Sequence, residues 1–436
     1  MKYITLIQDS IDYIEANLKT ELKAIDLASN LGFSLYHYSR IFQLAVGRSV
    51  KDYIIKRRLT HAIYEINLGS KMIDVSLSYG FDTYAGFYKA FKKEYGLSPK
   101  EYMHKRVVRK PISINLIQEE HIMISKKNLE EVLLQWGITN PTIADIYINA
   151  TNDRSENTWF INEDMVLKIG ANIKGITNHI LISKLMVKNS LCAATPILTL
   201  EGKDYYTDGD LYYFLSKKLD GKAIKSTEFY NDNYKEQAFY HGEIIGKLHK
   251  VLAELDNDIL CKKANIYEDV TNWAIPKTSE VFDLSPTFIN DYKNTMGKLI
   301  KSLPKQIIHR DPNPDNILFH HNKLVGFIDF EITEVNVRIF DPCYAATAIL
   351  SDSFHEVDTT GRKRWSDIFQ SIIEGYDSVA HLSDDEIKAI PYVIYSIQLI
   401  FIAYCEGIDK LKVLSITNQK MLRWLFENKE LLEYKR

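Results

Sequence analysis

Three polar residues, Asp311, Asn316 and Asp329, stand at the rims of short apolar stretches in I-I-H-R-D-P-N-P-D-N-I-L-F-H-H-N-K-L-V-G-F-I-D-F-E, residues 307 to 331. A carboxylate can meet a hydroxyl proton. An amide and a second carboxylate can hold a hard cation through oxygen. Together they are the equipment of phosphoryl transfer, in which catalysis is mostly positioning and charge stabilisation. The elements that must carry them are readable. Ile307 and Ile308 end a buried strand. A polar loop runs from His309 to Asn316. Ile317 to Phe319 and Leu324 to Ile328 form a β-hairpin around the turn His320 to Lys323. The plain alternative is a polar loop whose Asp and Asn only satisfy turns.

The spacing narrows the choice. H-x-D-x-x-x-x-N, followed by an Asp-Phe pair thirteen residues after Asn316, is the catalytic-loop and metal-loop order of the kinase fold. No G-x-G-x-x-G precedes it and no A-P-E follows. Only about ten residues part D-F-E from Asp341-Pro342, too few for a long activation loop. Residues 126 to 436 instead resemble the aminoglycoside phosphotransferase family, choline-kinase-like enzymes included. Asp341 to Tyr344 (D-P-x-Y) and the Leu248-His249 pair also match; Arg310 departs, because the family usually has glycine there.

The resemblance implies a bilobal α+β protein-kinase-like fold that binds ATP or GTP with Mg2+. Asp311 would accept or orient the acceptor's hydroxyl proton, and Asn316 and Asp329 would hold the metal. His309 would brace the loop, and Arg338 and Asp341 would tie the metal loop to a helical lobe. Glu331 is a further candidate for the metal. Lys168, on the third strand of a small sheet (Ile143 to Asn149, Thr158 to Ile161, Met165 to Ile169), would meet the nucleotide phosphates. Ser155 and Asn157, in the polar loop Asn152 to Asn157, could donate to phosphate oxygens; a simple hairpin turn is the other reading. A kinase lysine is normally held by a glutamate on the next helix. Between Ile169 and Leu200 there is no acidic residue; Thr177, Asn178 or Ser183 falls at that place. Leu211 to Leu219 reads as a strand leading to a hinge at Asp220-Gly221. Tyr240 to Glu254 reads as an amphipathic helix on which His249 is structural.

The first hundred residues are of another kind. Ile4, Ile7, Ile11, Ile14 and Leu18 line one face of a first helix. A short helix over Leu22 to Leu31 ends at Gly32, and Ser34 can cap the next, which ends at Gly47. A long helix spans Val50 to Leu68. The layout then repeats: Ile73 to Tyr79, Gly80, a cap at Asp82 or Thr83, and a helix to Tyr95 and Gly96. Two helix-turn-helix units on one connecting helix resemble the DNA-binding domain of the AraC/XylS regulators. Arg58-Leu59, I-D-V-S at 73 to 76, F-x-x-x-F-K-K-x-Y-G at 87 to 96 and Ser98-Pro99 carry that resemblance. Tyr38, Ile41 and Phe42, and then Phe87 and Phe91, should face the core. Tyr36, His37 and Arg40, and then Thr83, Tyr84 and Lys89, should face double-stranded DNA, across two successive major-groove segments.

Charge agrees with this division. Residues 1 to 110 hold 18 Lys and Arg against 11 Asp and Glu, net +7, within a chain of net −3. A basic front on an acidic body fits a polyanionic partner for the front. Scattered cysteines at 192, 261, 343 and 405 suit a reducing compartment. The apolar run Ile390 to Cys405 contains Pro391, Ser396 and Gln398, and reads as a buried helix rather than a membrane span.

The sequence therefore predicts a multidomain cytoplasmic protein: an all-α tandem helix-turn-helix domain, then the α+β bilobal domain. The boundaries are 1–106 for the DNA-binding domain, 107–124 for a linker, 125–220 for the nucleotide lobe and 221–436 for the catalytic and substrate lobe. The expected activity is transfer of the ATP γ-phosphate to a hydroxyl of a small polar metabolite or antibiotic. The alternative is a regulator whose kinase-like domain senses a small-molecule effector or nucleotide without turnover. Asp352, Glu356, Asp358 and Glu374 are candidates for a cationic acceptor; an ordinary solvated surface is the plainer reading of the same charges, and the acceptor itself is not readable. No membrane is called for, and a homodimer is left open.

Overall fold

A computed structural model describes the chain except residues 1, 47, 106–107, 109–110, 112–125, 148–153, 171, 209–210, 256–260, 355–358 and 408–410. The linker read over 107–124 lies almost wholly outside the described residues. The chain forms two compact units, Met1–Ala171 with Ile197–Leu215, and Asn172–Pro196 with Ser216–Arg436.

The first unit opens with seven helices: α1 (Lys2–Ala16), α2 (Ala24–Asn30), α3 (Leu35–Val46), α4 (Val50–Asn67), α5 (Met72–Ser78), α6 (Tyr84–Tyr95) and α7 (Pro99–Lys105). Their apolar faces meet in one core that buries Ile7, Ile11, Ile14 and Leu18 of the first stretch, Tyr38 and Phe42 of α3, and Phe87 and Phe91 of α6. Ser49 caps α4 by accepting from the Asp52 N–H, and Thr83 caps α6 by accepting from the Gly86 N–H. Polar ties lock the helices in place. Arg57 of α4 makes a two-pronged ion pair with Glu15 at 2.6 and 2.8 Å, and the Tyr53 hydroxyl donates to the same carboxylate. Arg48, just before α4, pairs with Glu94 of α6.

The same unit holds α8 (Lys126–Leu133) and a five-stranded sheet in the order β1-β2-β3-β5-β4, antiparallel at β1–β2, β2–β3 and β4–β5. Its strands are β1 (Ile143–Tyr147), β2 (Arg154–Ile161), β3 (Met165–Gly170), β4 (Tyr206–Asp208) and β5 (Leu211–Lys217). Trp159, Ile161, Leu167 and Ile169 point to one face and share a core with Leu129, Leu133 and Trp136. Strand alternation then sets Lys168 on the opposite face. β2 starts at Arg154, so residues 154–157 belong to a strand and not to the expected polar loop.

The second unit contains α9 (Ile173–Lys188), α10 (Tyr234–Leu252), the short α11 (Ile266–Asp269) and α12 (Ile275–Thr278), α13 (Pro286–Leu299), α14 (Phe340–Ser353), α15 (Thr359–Ala380), α16 (Asp384–Glu406) and α17 (Lys412–Glu427). α10 begins six residues before the expected Tyr240, because Tyr234 to Phe239 continue its register and bury Ala238. Two small sheets carry the loops: β10 (Lys323–Phe327), β9 (Ile317–His320), β6 (Lys222–Ala223), and β7 (Lys262–Lys263), β11 (Glu334–Val337), β8 (Lys305–Ile308). α10 and α15 cross backbone to backbone. A Cβ at Gly242 would lie 1.9 Å from the Ile372 carbonyl oxygen, and one at Gly375 would lie 1.9 Å from that of Phe239. α16 is long and apolar enough to cross a membrane by length and composition, yet its central side chains from Ile390 to Leu399 are mostly buried in this unit.

Candidate functional site

In the second unit, β8 ends at Ile308 and delivers His309 and Arg310 onto a carboxylate. Asp341, fully buried at the start of α14, accepts the His309 N–H at 2.8 Å and the Arg310 N–H at 3.0 Å. His249 of α10 meets the same carboxylate at 2.9 Å and the Tyr376 hydroxyl at 2.8 Å, which confirms a structural histidine. Arg310 has φ +78°, in the left-handed region. Its guanidinium offsets that strain by pairing with Glu334 at 2.8 Å and lying 4.1 Å over the Phe340 ring.

Asp311 is half-buried and ringed by donors. Asn313 donates to its Oδ1 at 2.7 Å. The Asn316 amide donates to its Oδ2 at 3.1 Å and to its backbone oxygen at 2.9 Å. Burial raises the Asp311 pKa; Tyr344, His309 and Asn313 oppose this, and the nearby Asp329 carboxylate adds to it. The Asn316 amide nitrogen is thus spent on Asp311, which turns its oxygen to the other side. An amide oxygen and the Asp329 carboxylate fit a magnesium ion, which takes one or two protein oxygens and completes its shell with water and phosphate. Among the described residues no cluster of three His, Cys, Asp or Glu could hold a metal, as expected for such a sparse set. His309 braces this arrangement: its Nε2 donates to the Ile328 carbonyl at 3.0 Å, and its Nδ1 accepts from the Asp311 N–H at 3.4 Å.

On the helices of the first unit, Tyr36 is 78% exposed, and His37 and Arg40 are exposed beside it. His37 stacks on Phe33 with ring centroids 5.0 Å apart. Lys89 is exposed on α6. Two expectations change there. The Thr83 side chain is spent as the cap of α6. Tyr84 is half-buried, its hydroxyl on the Met72 sulfur at 3.6 Å and its ring against Phe87. Ala85 and Gly86 are the exposed residues of that first turn; the cap at Thr83 already implied that the side chains just after it lead the helix.

A helix-turn-helix domain family matches residues 27–105, and the phosphotransferase enzyme family matches residues 190–382. The transcriptional activator AarP of Providencia stuartii is 34% identical over 99 residues, 22% of this chain and 73% of AarP. The transposon Tn10 TetD protein of Escherichia coli is 32% identical over 106 residues, 24% of this chain and 77% of that protein. The chain belongs to the AraC-type helix-turn-helix regulators.

This AraC-type regulator carries a phosphotransferase-family domain behind its DNA-binding helices. An amicoumacin kinase solved with AMP-PNP and Ca2+ superposes with a TM-score of 0.52 at 13% identity, covering 71% of this chain and 96% of the kinase. A microcompartment-associated aminopropanol kinase superposes equally well, over 70% of this chain and 99% of its own. These similarities establish a kinase-like fold.

In the regulator's five-stranded sheet, Lys168 lies opposite Thr158 in the β2–β3 register. The Asn157 side-chain oxygen accepts from the Thr158 hydroxyl at 3.0 Å. The Ser155 side chain lies outside the described residues. On α9, the Thr177 hydroxyl donates back to the Ile173 carbonyl at 2.8 Å, and the Asn178 amide donates to the Cys261 sulfur at 3.3 Å. Ser183 is fully buried. Arg338 forks onto Glu386 of α16 at 2.7 and 2.8 Å, which secures the helices behind the loop.

Of the four acidic candidates for an acceptor, Glu356 and Asp358 lie outside the described residues, and Glu374 is exposed on α15. Asp352, at the end of α14, lies near enough to Asp315 and Asp311 to feel their charge. Its side chain is open to solvent. The protein atoms crowded around it nevertheless push its pKa up to about 6, against a hydrogen bond from Ser226 and with help from Asp315 and Asp311.

Proposed function

We propose that this protein is a DNA-binding regulator whose second part transfers the γ-phosphate of ATP to a hydroxyl of a small polar acceptor. The observation that carries this reading is the loop around Asp311. Asn313 and Asn316 aim its carboxylate, and Asp341 pins the backbone beneath it. In this reading Asp311 orients the acceptor hydroxyl and takes its proton as the oxygen attacks. Asn316 and Asp329 hold Mg2+, which when bound neutralises charge on the nucleotide phosphates. Lys168, and Ser155 with Asn157, contribute to phosphate binding. Asp352 gives the acceptor end a second carboxylate near Asp311, which suits an acceptor with an ammonium group. The aminopropanol kinase's name points to the same chemistry. Tyr36, His37, Arg40 and Lys89 would contact double-stranded DNA, and a reducing, cytoplasmic setting fits the four free cysteines. The homodimer forms no part of this reading.

The second reading, a nucleotide or ligand sensor without turnover, is favoured by one observation. No acidic residue between Ile169 and Leu200 can hold Lys168. Thermal shift separates the readings. With ATP and Mg2+, the wild type should be stabilised, and Asp329→Ala should lose the Mg2+-dependent part. Phosphate transfer to amino-alcohol acceptors should then follow, with affinity rising as the pH passes upward through about 6, where Asp352 ionises. Nucleotide stabilisation with no transfer to any acceptor would support the sensor. No stabilisation by any nucleotide would remove the kinase reading.

A further inference from the structure

We infer that His179 of α9 is a positioning residue that sets the direction of the Asp329 carboxylate, holding the metal loop to α9 where no acidic residue is present to organise that helix. The inference rests on the reading of Asp329 as a cation ligand. His179 is buried at 4% exposure, and its Nδ1 accepts the backbone N–H of Phe330 at 3.2 Å. That N–H belongs to the peptide joining Asp329 to Phe330. Asp329 has φ +66°, a left-handed conformation that a non-glycine residue keeps only when its surroundings impose it. Fixing the plane of the following peptide restrains ψ of Asp329, and with φ it sets the direction of the Cα–Cβ bond from which the carboxylate projects. His179 therefore acts on the carboxylate through one peptide group.

Two further contacts enclose the same peptide. The fully buried Phe330 ring lies between two imidazoles, with centroids 5.7 Å from His179 and 4.7 Å from His309. One histidine comes from α9 and the other from the catalytic loop, so the phenyl ring links the two. One turn before His179, Gly175 brings the α9 backbone against the metal loop: an added Cβ would lie 3.1 Å from the Glu331 carbonyl oxygen. The hydrogen-bonding side chains of Thr177 and Asn178 are occupied elsewhere. The His179 side chain reaches the metal loop's backbone by a hydrogen bond from the Phe330 N–H.

The test uses the full chain as wild type, His179→Ala, His179→Asn and Gly175→Ala, with hydrogen exchange read by mass spectrometry and thermal shift with ATP, with and without Mg2+. An asparagine side-chain oxygen takes the place of Nδ1 as acceptor, so His179→Asn should act as a rescue. In His179→Ala the Phe330 amide should exchange about tenfold faster or more, while peptides of α10 keep their protection. The Mg2+ concentration needed for half of the nucleotide stabilisation should rise about tenfold, with Mg2+-free nucleotide binding unchanged; His179→Asn should recover most of both. Gly175→Ala should weaken Mg2+ in the same way even though alanine favours the helix. Unchanged Phe330 exchange in His179→Ala, or His179→Asn behaving as His179→Ala, would overturn the inference. If the wild type shows no Mg2+-dependent nucleotide stabilisation, the kinase reading fails, and the exchange data still decide whether His179 holds the loop.

Discussion

The loop around Asp311 and the outward faces of α3 and α6 would, in the proposed function, solve opposite problems. Around Asp311 nearly every polar group is held by another. Asp341 takes two backbone N–H groups, His309 bridges Ile328 and Asp311, and Asn316 bonds Asp311 twice. On α3, by contrast, Tyr36 and Arg40 project into solvent, and the order lies beneath them in the Glu15–Arg57 lock and the buried aromatic rings. A site that must stabilise charge in transit gains from fixed dipoles, which cost no reorganisation at the moment of reaction. A surface that meets a polyanion needs only a rigid scaffold, because long basic side chains can settle on phosphate after contact.

Mutations can break or sharpen this contrast. The largest effect should come from Asp311→Asn, which keeps the shape and removes the proton acceptor. Phosphate transfer should fall about a thousandfold while nucleotide binding persists, as read by a coupled assay and thermal shift. Full activity would sink the assigned role.

Acid should loosen the helical scaffold next. Burial tends to raise the Glu15 pKa, but the hydrogen bonds from His61, Arg57 and Tyr53 and the Arg57 charge outweigh it and hold the carboxyl at about 2. A depressed folded-state pKa contributes stability above the unfolded value, near 4.5, and loses it as pH falls towards 2. That span is worth roughly 3 kcal/mol. Circular dichroism melts of wild type and Glu15→Gln should converge as pH drops from 5 to 2. A constant gap across that range would show that the carboxylate charge is not what locks α1 to α4.

Arg40→Ala should leave those melts alone and weaken DNA binding about tenfold, with the salt slope reduced by about 1. Unchanged affinity would take Arg40 off the interface. The smallest net effect is expected for Arg310→Gly. Glycine relieves the φ of +78° by about 1 kcal/mol, and loss of the Glu334 pair and the ring contact costs a similar amount. Urea midpoints should agree closely; a large destabilisation would mean that the Arg310 contacts outweigh the strain.

How far the sequence could be read depended on whether a signal was local. The helices around Gly32 and Gly80, the cap at Thr83, and the hairpin after Asn316 follow from periodicity, capping and turn residues a few positions apart. The same short-range rule places the apolar partners Tyr38, Phe42, Phe87 and Phe91 in the core, and they are buried there. Tyr84 departs from the outward direction its helical position implies, because that position says which way a side chain starts, while the Met72 sulfur and the Phe87 ring decide where it rests.

The sequence by itself determined the two families of element, the catalytic-loop spacing and the absence of an acidic residue on α9. Tertiary structure alone decided what ties that helix to the loop after Asp329. His179 and Phe330 are 151 positions apart, and no local rule links an imidazole on one helix to a backbone N–H in a distant loop. The close approaches at Gly175 and Gly242 have the same origin: what matters there is the backbone of another segment, which only the folded chain brings within reach.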